Sequence, residues 1–125
     1  MASIFLKNET TIRKFEINEL LYINCEDHCL SFHTADSVFH TTGNLGEVAK
    51  TLPYYFVLIN RSMIINLKHI KEIKLSQRIL ICQNGIEHII SHRRLSSLVK
   101  AIRFPNSKVS IHTFDDDFYT FTKND

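Results

Sequence analysis

The chain has 125 residues, 44% of them apolar and 22% charged, with a net charge of +2. That length carries one domain with one substantial core, and the composition is that of a globular chain rather than a disordered or fibrous one. The longest apolar run, residues 54–59, is too short to cross a bilayer; no basic-then-apolar leader opens the sequence; and three cysteines do not make a disulfide framework, which fits a reducing cytoplasm.

In chain order the first elements are extended. Residues 4–7 and 12–17 form a pair split by the polar Asn8-Glu9-Thr10, and residues 21–25 follow. Residues 29–34 alternate, with Leu30 and Phe32 on one side and Ser31 and His33 on the other. After a turn at 35–37, residues 38–41 return. The period then changes. Leu45, Val48, Ala49 and Leu52 share one helical face, Asn44 is placed to cap it with Glu47 three residues on, and Pro53 stops it.

Extended structure resumes over 55–59, 69–75 and 78–83. Asn84-Gly85 predicts a two-residue hairpin turn, because both residues tolerate positive φ; it sets Ile79 and Ile81 opposite Ile86, His88 and Ile90. Ser91 caps a second helix running to 103, with Leu95, Leu98, Val99 and Ile102 at helical spacing and Pro105 beyond it. Residues 109–114 and 118–121 suit one more hairpin around Asp115-Asp116-Asp117. The four aromatics Phe114, Phe118, Tyr119 and Phe121 predict that this tail packs on the domain or on a second subunit. The division is therefore a domain over 3–103 and an extension over 104–125. Many strands with two short helices argue against a helix-turn-helix reader.

The small net charge hides a segregation. Residues 59–103 hold nine basic and two acidic side chains, a local charge of +7, while residues 1–58 carry −3 and residues 104–125 carry −2. A basic block in a near-neutral chain points to a polyanion. Within it, Arg61 interrupts an otherwise apolar run over 54–66. A buried unpaired guanidinium is costly, so Arg61 is either paired or aimed out of the fold. Carboxylates are scarce nearby in sequence, and arginine can bond a guanine edge or a phosphate bidentately. We read Asn60–Ser62 as a tight projecting turn where the chain leaves the core and re-enters it. Asn66 reads as a backbone-bonding turn residue. Arg93 and Arg94 at a helix N-terminus oppose the helix dipole unless an anion docks there. Lys68, Lys71 and Lys74 are spaced to track phosphates or to form a solvated face.

Catalysis has no support. Only three glycines are present and none forms a phosphate loop; the histidines are scattered, and Ser97-x-x-Lys100 lacks the partner motifs of S-x-x-K hydrolases. Cys25, His28, Cys29 and His33 have no second ligand pair at zinc spacing. Neither a metal, a cofactor nor a small-molecule substrate is expected.

Three segments together, LYINCEDHCLSFHT, YFVLINRSMIINLKHIKEI and ISHRRLSSLVKAI, resemble the LytTR family of bacterial DNA-binding domains over roughly residues 3–103. The most specific pieces are Arg61-Ser62-x-x-x-Asn66 and Ser91-x-Arg93. The resemblance implies a mainly β, elongated stack of small sheets. It implies sequence-specific binding of double-stranded DNA, with loops entering successive major grooves, and control of transcription as a homodimer or as copies on adjacent repeats. It places DNA-reaching residues in three loops, at His28, at Asn60 and Arg61, and at Arg93, with Arg94 and Lys68 beside them. Two positions depart from the family pattern: Asn60 stands where histidine is common, and Cys29 where a large aromatic is usual. Family members commonly couple this domain to a receiver or a membrane segment, which this sequence is not expected to carry. The competing reading is a protein-interaction module of the same fold whose basic face binds an acidic partner or a receiver-bearing regulator.

Overall fold

The computed structural model describes residues 2–102. Ten strands form three antiparallel sheets. The first is β1 (Ser3–Lys7) paired with β2 (Ile12–Glu16). The second has five strands: β3 (Tyr22–Glu26), β4 (Cys29–His33), β5 (Val38–Thr42), β6 (Phe56–Asn60) and β7 (Met63–Asn66), in the order β5-β4-β3-β7-β6. The third is β8 (Ile70–Lys74), β9 (Ile79–Cys82) and β10 (Glu87–Ile89), in the order β10-β9-β8. Among the described residues these ten strands are joined by two α-helices, α1 (Leu45–Thr51) and α2 (Leu95–Ile102). The fold is mainly β in small antiparallel sheets, as expected. No described helix is long and apolar enough to cross a membrane. The hairpin expected over 109–121 and its acidic turn lie outside the described residues.

The five-stranded sheet is the middle layer. On one face Ile23, Phe32, Phe39 and Ile64 line up through the registers Ile23↔Phe32, Phe32↔Phe39 and Ile23↔Ile64. Phe39 meets Phe15 of β2 edge to face at 5.9 Å, which sets the first sheet on this side. On the other face Tyr22 stands beside His33 and Ile65, and it meets His88 of β10 at 4.6 Å, which sets the third sheet there. Covered on both faces, the sheet buries consecutive residues. Tyr22 and Ile23 are both buried, and Ser31 is buried between Leu30 and Phe32, its hydroxyl 2.9 Å from His40 Nδ1. The alternation in 29–34 does sort the two faces, but the Ser31 face is covered at its centre, with Cys29 exposed and His33 half-buried at its ends.

Local chemistry sets the boundaries. Asn44 caps α1, its Oδ1 accepting from the Glu47 amide at 2.9 Å. Two short 3-10 turns, at Ile17–Glu19 and Leu67–His69, take in the expected strand ends Ile17 and His69, and both act as corners between sheets. The Asn84-Gly85 hairpin also differs. Cys82 and Ile86 still share a hydrogen bond, so the loop is the three residues 83–85. Gly85 donates to the Cys82 carbonyl and alone takes positive φ, at 89°; this is a turn followed by a left-handed glycine rather than a two-residue loop. The extra residue puts Leu80 and His88 opposite each other and leaves Ile86 and Ile89 exposed.

Asn66, at the end of β7, is fully buried. Its Nδ2 donates to the Leu20 carbonyl at 2.8 Å, its Oδ1 accepts from the Lys68 amide at 2.9 Å, and its own amide donates to the Leu21 carbonyl at 3.0 Å. Truncation would strand a buried carbonyl and an amide, at about 1–3 kcal/mol each. Asn66→Ala is therefore expected to lose about 2–4 kcal/mol in urea denaturation, with a large fall in midpoint.

Tyr22 lies between two histidines, stacked on His33 at 4.3 Å and edge to face with His88. Burial lowers the His33 pKa, assisted by the charges of His40 and His88, and burial lowers that of His88. Their folded pKa values lie below the unfolded 6.5, so below that pH the unfolded chain binds more protons. Stability is complete above pH 6.5 and declines as pH falls below it. Melting temperatures measured between pH 7.5 and 5 should fall on the acid side, and His88→Phe should flatten that slope.

Candidate nucleic-acid interface

The turn between β6 and β7 is two residues long, Arg61 and Ser62, because Asn60 pairs with Met63. The register slips between Leu58 and Asn60, making Ile59 a bulge residue. Without the slip, strict alternation from buried Phe56 would bury Leu58 and expose Ile59. With it, Ile59 is fully buried and the strand ends twisted toward solvent. Arg61 is exposed at the tip. The puzzle set by its place in an apolar run is thus resolved in geometry: the chain leaves the core for two residues.

Four braces hold that tip. The Asn60 Oδ1 accepts from the Ser62 amide at 2.8 Å, and its Nδ2 donates to the Ile89 carbonyl of β10 at 2.8 Å. The Cys25 amide donates to the Ser62 carbonyl at 2.9 Å, and the Ser91 amide donates to the Ile59 carbonyl at 2.8 Å. Asn60, expected as a DNA contact, commits both ends of its carboxamide to the protein.

The last brace brings in the segment ahead of α2. Ser91 does not cap the α-helix as expected but closes a turn over 92–94, with the Arg94 amide donating to its carbonyl at 3.0 Å and to its hydroxyl at 3.3 Å. The first α-helical bond runs from the Leu98 amide to the Arg94 carbonyl. Arg93 and Arg94 therefore sit on the turn that leads into the helix. Together with the β6–β7 tip they form one cleft of about 550 Å³, lined by Asn60, Arg61, Ser62, Ser91, Arg93 and Arg94. Residues thirty positions apart in sequence thus converge. Three guanidinium groups share the opening with no carboxylate in its lining. Among the described residues the ion pairs are Lys14–Glu16 and Lys50–Glu47, both elsewhere. Such a cleft is built for an external anion with planar or paired acceptors.

The other expected residues fall elsewhere. His28 is on the two-residue β3–β4 turn, where Asp27 and His28 both take positive φ, 51° and 66°. It is exposed in a separate cleft of about 420 Å³ with Asn8, Glu9 and Thr10 of the β1–β2 loop. Sequence reasoning missed these three as neighbours, because a link of the Asn8 Nδ2 to the His40 carbonyl, 32 positions away, leaves no local signal. Lys68 is placed differently. Its ammonium nitrogen is buried, 4.3 Å from the centre of the Tyr55 ring, and does not face outward as a phosphate contact would. Cys25 pairs with Leu30 and Glu26 with Cys29, so Cys25 and Cys29 lie on opposite faces of their hairpin. Among the described residues no group of three histidine, cysteine or carboxylate side chains is placed to hold a metal.

Comparison with known proteins adds to this geometry. The family model described as LytTr DNA-binding domain matches residues 10–103. The transcriptional regulatory protein LytR of Staphylococcus aureus strains N315 and NCTC 8325 is 33% identical over 73 residues, 58% of this chain and 30% of that protein, so the chain spans about a third of the length of these relatives. Among solved structures, a Bacillus cereus chain described as the LytTr DNA-binding domain of a methyl-accepting/DNA response regulator aligns with a TM-score of 0.73 at 22% identity. The alignment covers 83% of this chain and 99% of that one, a likeness of fold.

The bracing of the tip is open to a direct check. In Asn60→Ala the Ser62 amide loses its acceptor, so its hydrogen exchange should accelerate well before that of Ile64 or Ile65. The global cost should be about 1–2 kcal/mol, because two partly exposed hydrogen bonds are lost.

Proposed function

The chain belongs to the LytTR family of DNA-binding domains, and from that premise we propose that it is a sequence-specific regulator of transcription that reads double-stranded DNA through its arginine cleft. The observation that carries this reading is the convergence of Arg61, Arg93 and Arg94 on one opening without a carboxylate. Arg61, on a tip two residues long and held by backbone bonds, is presented at little entropic cost; its fork matches the O6 and N7 acceptors of guanine in a major groove. Arg93, on the neighbouring turn, reaches a different base step. Arg94 is half-buried and better placed to clamp a phosphate, assisted by the amide-rich start of α2. His28 lies outside this cleft and serves a second stretch of the same duplex, in keeping with loops that enter successive grooves. Asn60 contributes by aiming the tip, and Lys68 takes no part.

Base contacts and phosphate contacts predict different losses. Arg61→Ala should weaken binding to a selected duplex by about 1–3 kcal/mol, leave random-duplex affinity nearly unchanged and leave the melting temperature intact. Arg93→Ala should do the same at a different base pair. Arg94→Ala should weaken selected and random duplexes alike and reduce the slope of log affinity against log salt by about one. Titrations of each variant on selected and scrambled duplexes at two salt concentrations, beside melting curves, decide the matter. A strong drop in melting temperature for Arg61→Ala with normal binding by the folded fraction would refute the assignment.

A further inference from the structure

One exposed apolar side chain stands on the strand whose backbone braces the tip of the arginine cleft. Ile89 is 68% exposed, among the most exposed large apolar residues described. Its neighbours explain where it stands. His88 turns inward onto Tyr22, and Ile90 is fully buried, so β10 is pinned on either side of Ile89. The strand pairing puts Ile89 opposite Ile79 and on the same side of β10 as exposed Glu87, away from the core. Its carbonyl receives the Asn60 Nδ2 at 2.8 Å, and two residues on, the Ser91 amide bonds the Ile59 carbonyl. Ile89 is therefore tied by its own backbone to the residue that aims Arg61, and it precedes by two positions a residue that lines the cleft.

Other exposed apolar residues are differently placed. Phe5 and Ile12 are on the first sheet, on the far side of the middle layer, and Leu75 is in the β8–β9 loop. An isoleucine on a strand tied by its backbone to the arginine-bearing tip adds nothing to phosphate binding. The one apolar feature that a duplex displays in its major groove is the thymine C5-methyl group. We propose that Ile89 is a specificity-determining residue whose side chain contacts a thymine methyl next to the base pair read by Arg61. The inference rests on the reading of the cleft as the DNA-contacting surface. It adds an apolar element to a site that is otherwise cationic, and so distinguishes a T·A from a C·G pair that arginine at the adjacent step does not test.

The test uses the full chain and a duplex selected from a random pool, with each thymine replaced in turn by deoxyuridine, which removes the methyl and keeps the hydrogen-bonding edge. The wild-type chain should lose roughly fourfold in affinity at one thymine beside the Arg61 base pair, the equivalent of one apolar methyl contact. Ile89→Ala should already have lost that factor and should be indifferent to deoxyuridine at that position only. Ile89→Val, which retains branching and most of the contact, should keep most of the sensitivity. Melting curves should match for all three chains, because the side chain is exposed. If Ile89→Ala and deoxyuridine act independently at every thymine while Arg61→Ala still loses its base preference, Ile89 is not a reader and the cleft reading survives. If no sequence is enriched from the pool, or Arg61→Ala binds as the wild type does, the cleft reading fails and Ile89 falls with it.

Discussion

The fold turns on one buried carboxamide. The side chain and backbone of Asn66 bond the Leu20 and Leu21 carbonyls, which enter β3, and the Lys68 amide, which begins the corner toward β8. The segment from the first sheet, the last strand of the central hairpin and the entry to the third sheet therefore meet at one residue. Three small sheets cannot share a single continuous ladder, so each junction exposes backbone groups that neither sheet can satisfy. A side chain with one donor group and one acceptor, fully buried at the junction, satisfies them locally. An aliphatic residue of similar volume would fit the space and leave those groups stranded.

A comparable economy governs the β6–β7 tip. Its neighbours Asn60 and Arg61 divide the work: Asn60 spends its carboxamide on the protein, and among the described residues the Arg61 guanidinium has no ion pair. The tip bonds to β10 and β3 as well as to its own hairpin. Its aim is thus fixed by its own sheet and by the third, and the turn before α2 is tied to the same hairpin through the Ser91 amide. Preorganisation of this kind removes ordering cost from any later association.

Much of this was legible in the sequence, and the failures have physical causes. The Asn44 cap depends on residues three apart, and the structure contains it as read. The projecting turn at Arg61 followed from the cost of burying a cation, which holds whatever the fold. Asn66 was recognisable as a backbone partner, although its burial was not. The Asn84-Gly85 loop was half right: glycine supplied the positive φ, but the pairing of Cys82 with Ile86 belongs to the sheet and lengthened the loop. The contacts of Asn60 and Lys68 were not legible, because the Ile89 carbonyl and the Tyr55 ring are 29 and 13 positions away and only the folded layers bring them close. Charge identifies which residues could meet an anion; it does not say which of them have already been claimed from within.

The bulge at Ile59 has a consequence for how such a surface can change over time. It fixes the phase of β6 on the core side, and the two-residue turn fixes it on the solvent side, so the hairpin has no slack. An inserted residue would either rotate Ile59 out of the core or break the Asn60–Met63 pairing, whereas a side-chain exchange at Arg61 or Ser62 disturbs neither. The length of this hairpin is frozen while its lettering is free. Diversification of what the cleft prefers must proceed by point replacement on a constant frame, a discrete alphabet rather than a change of reach.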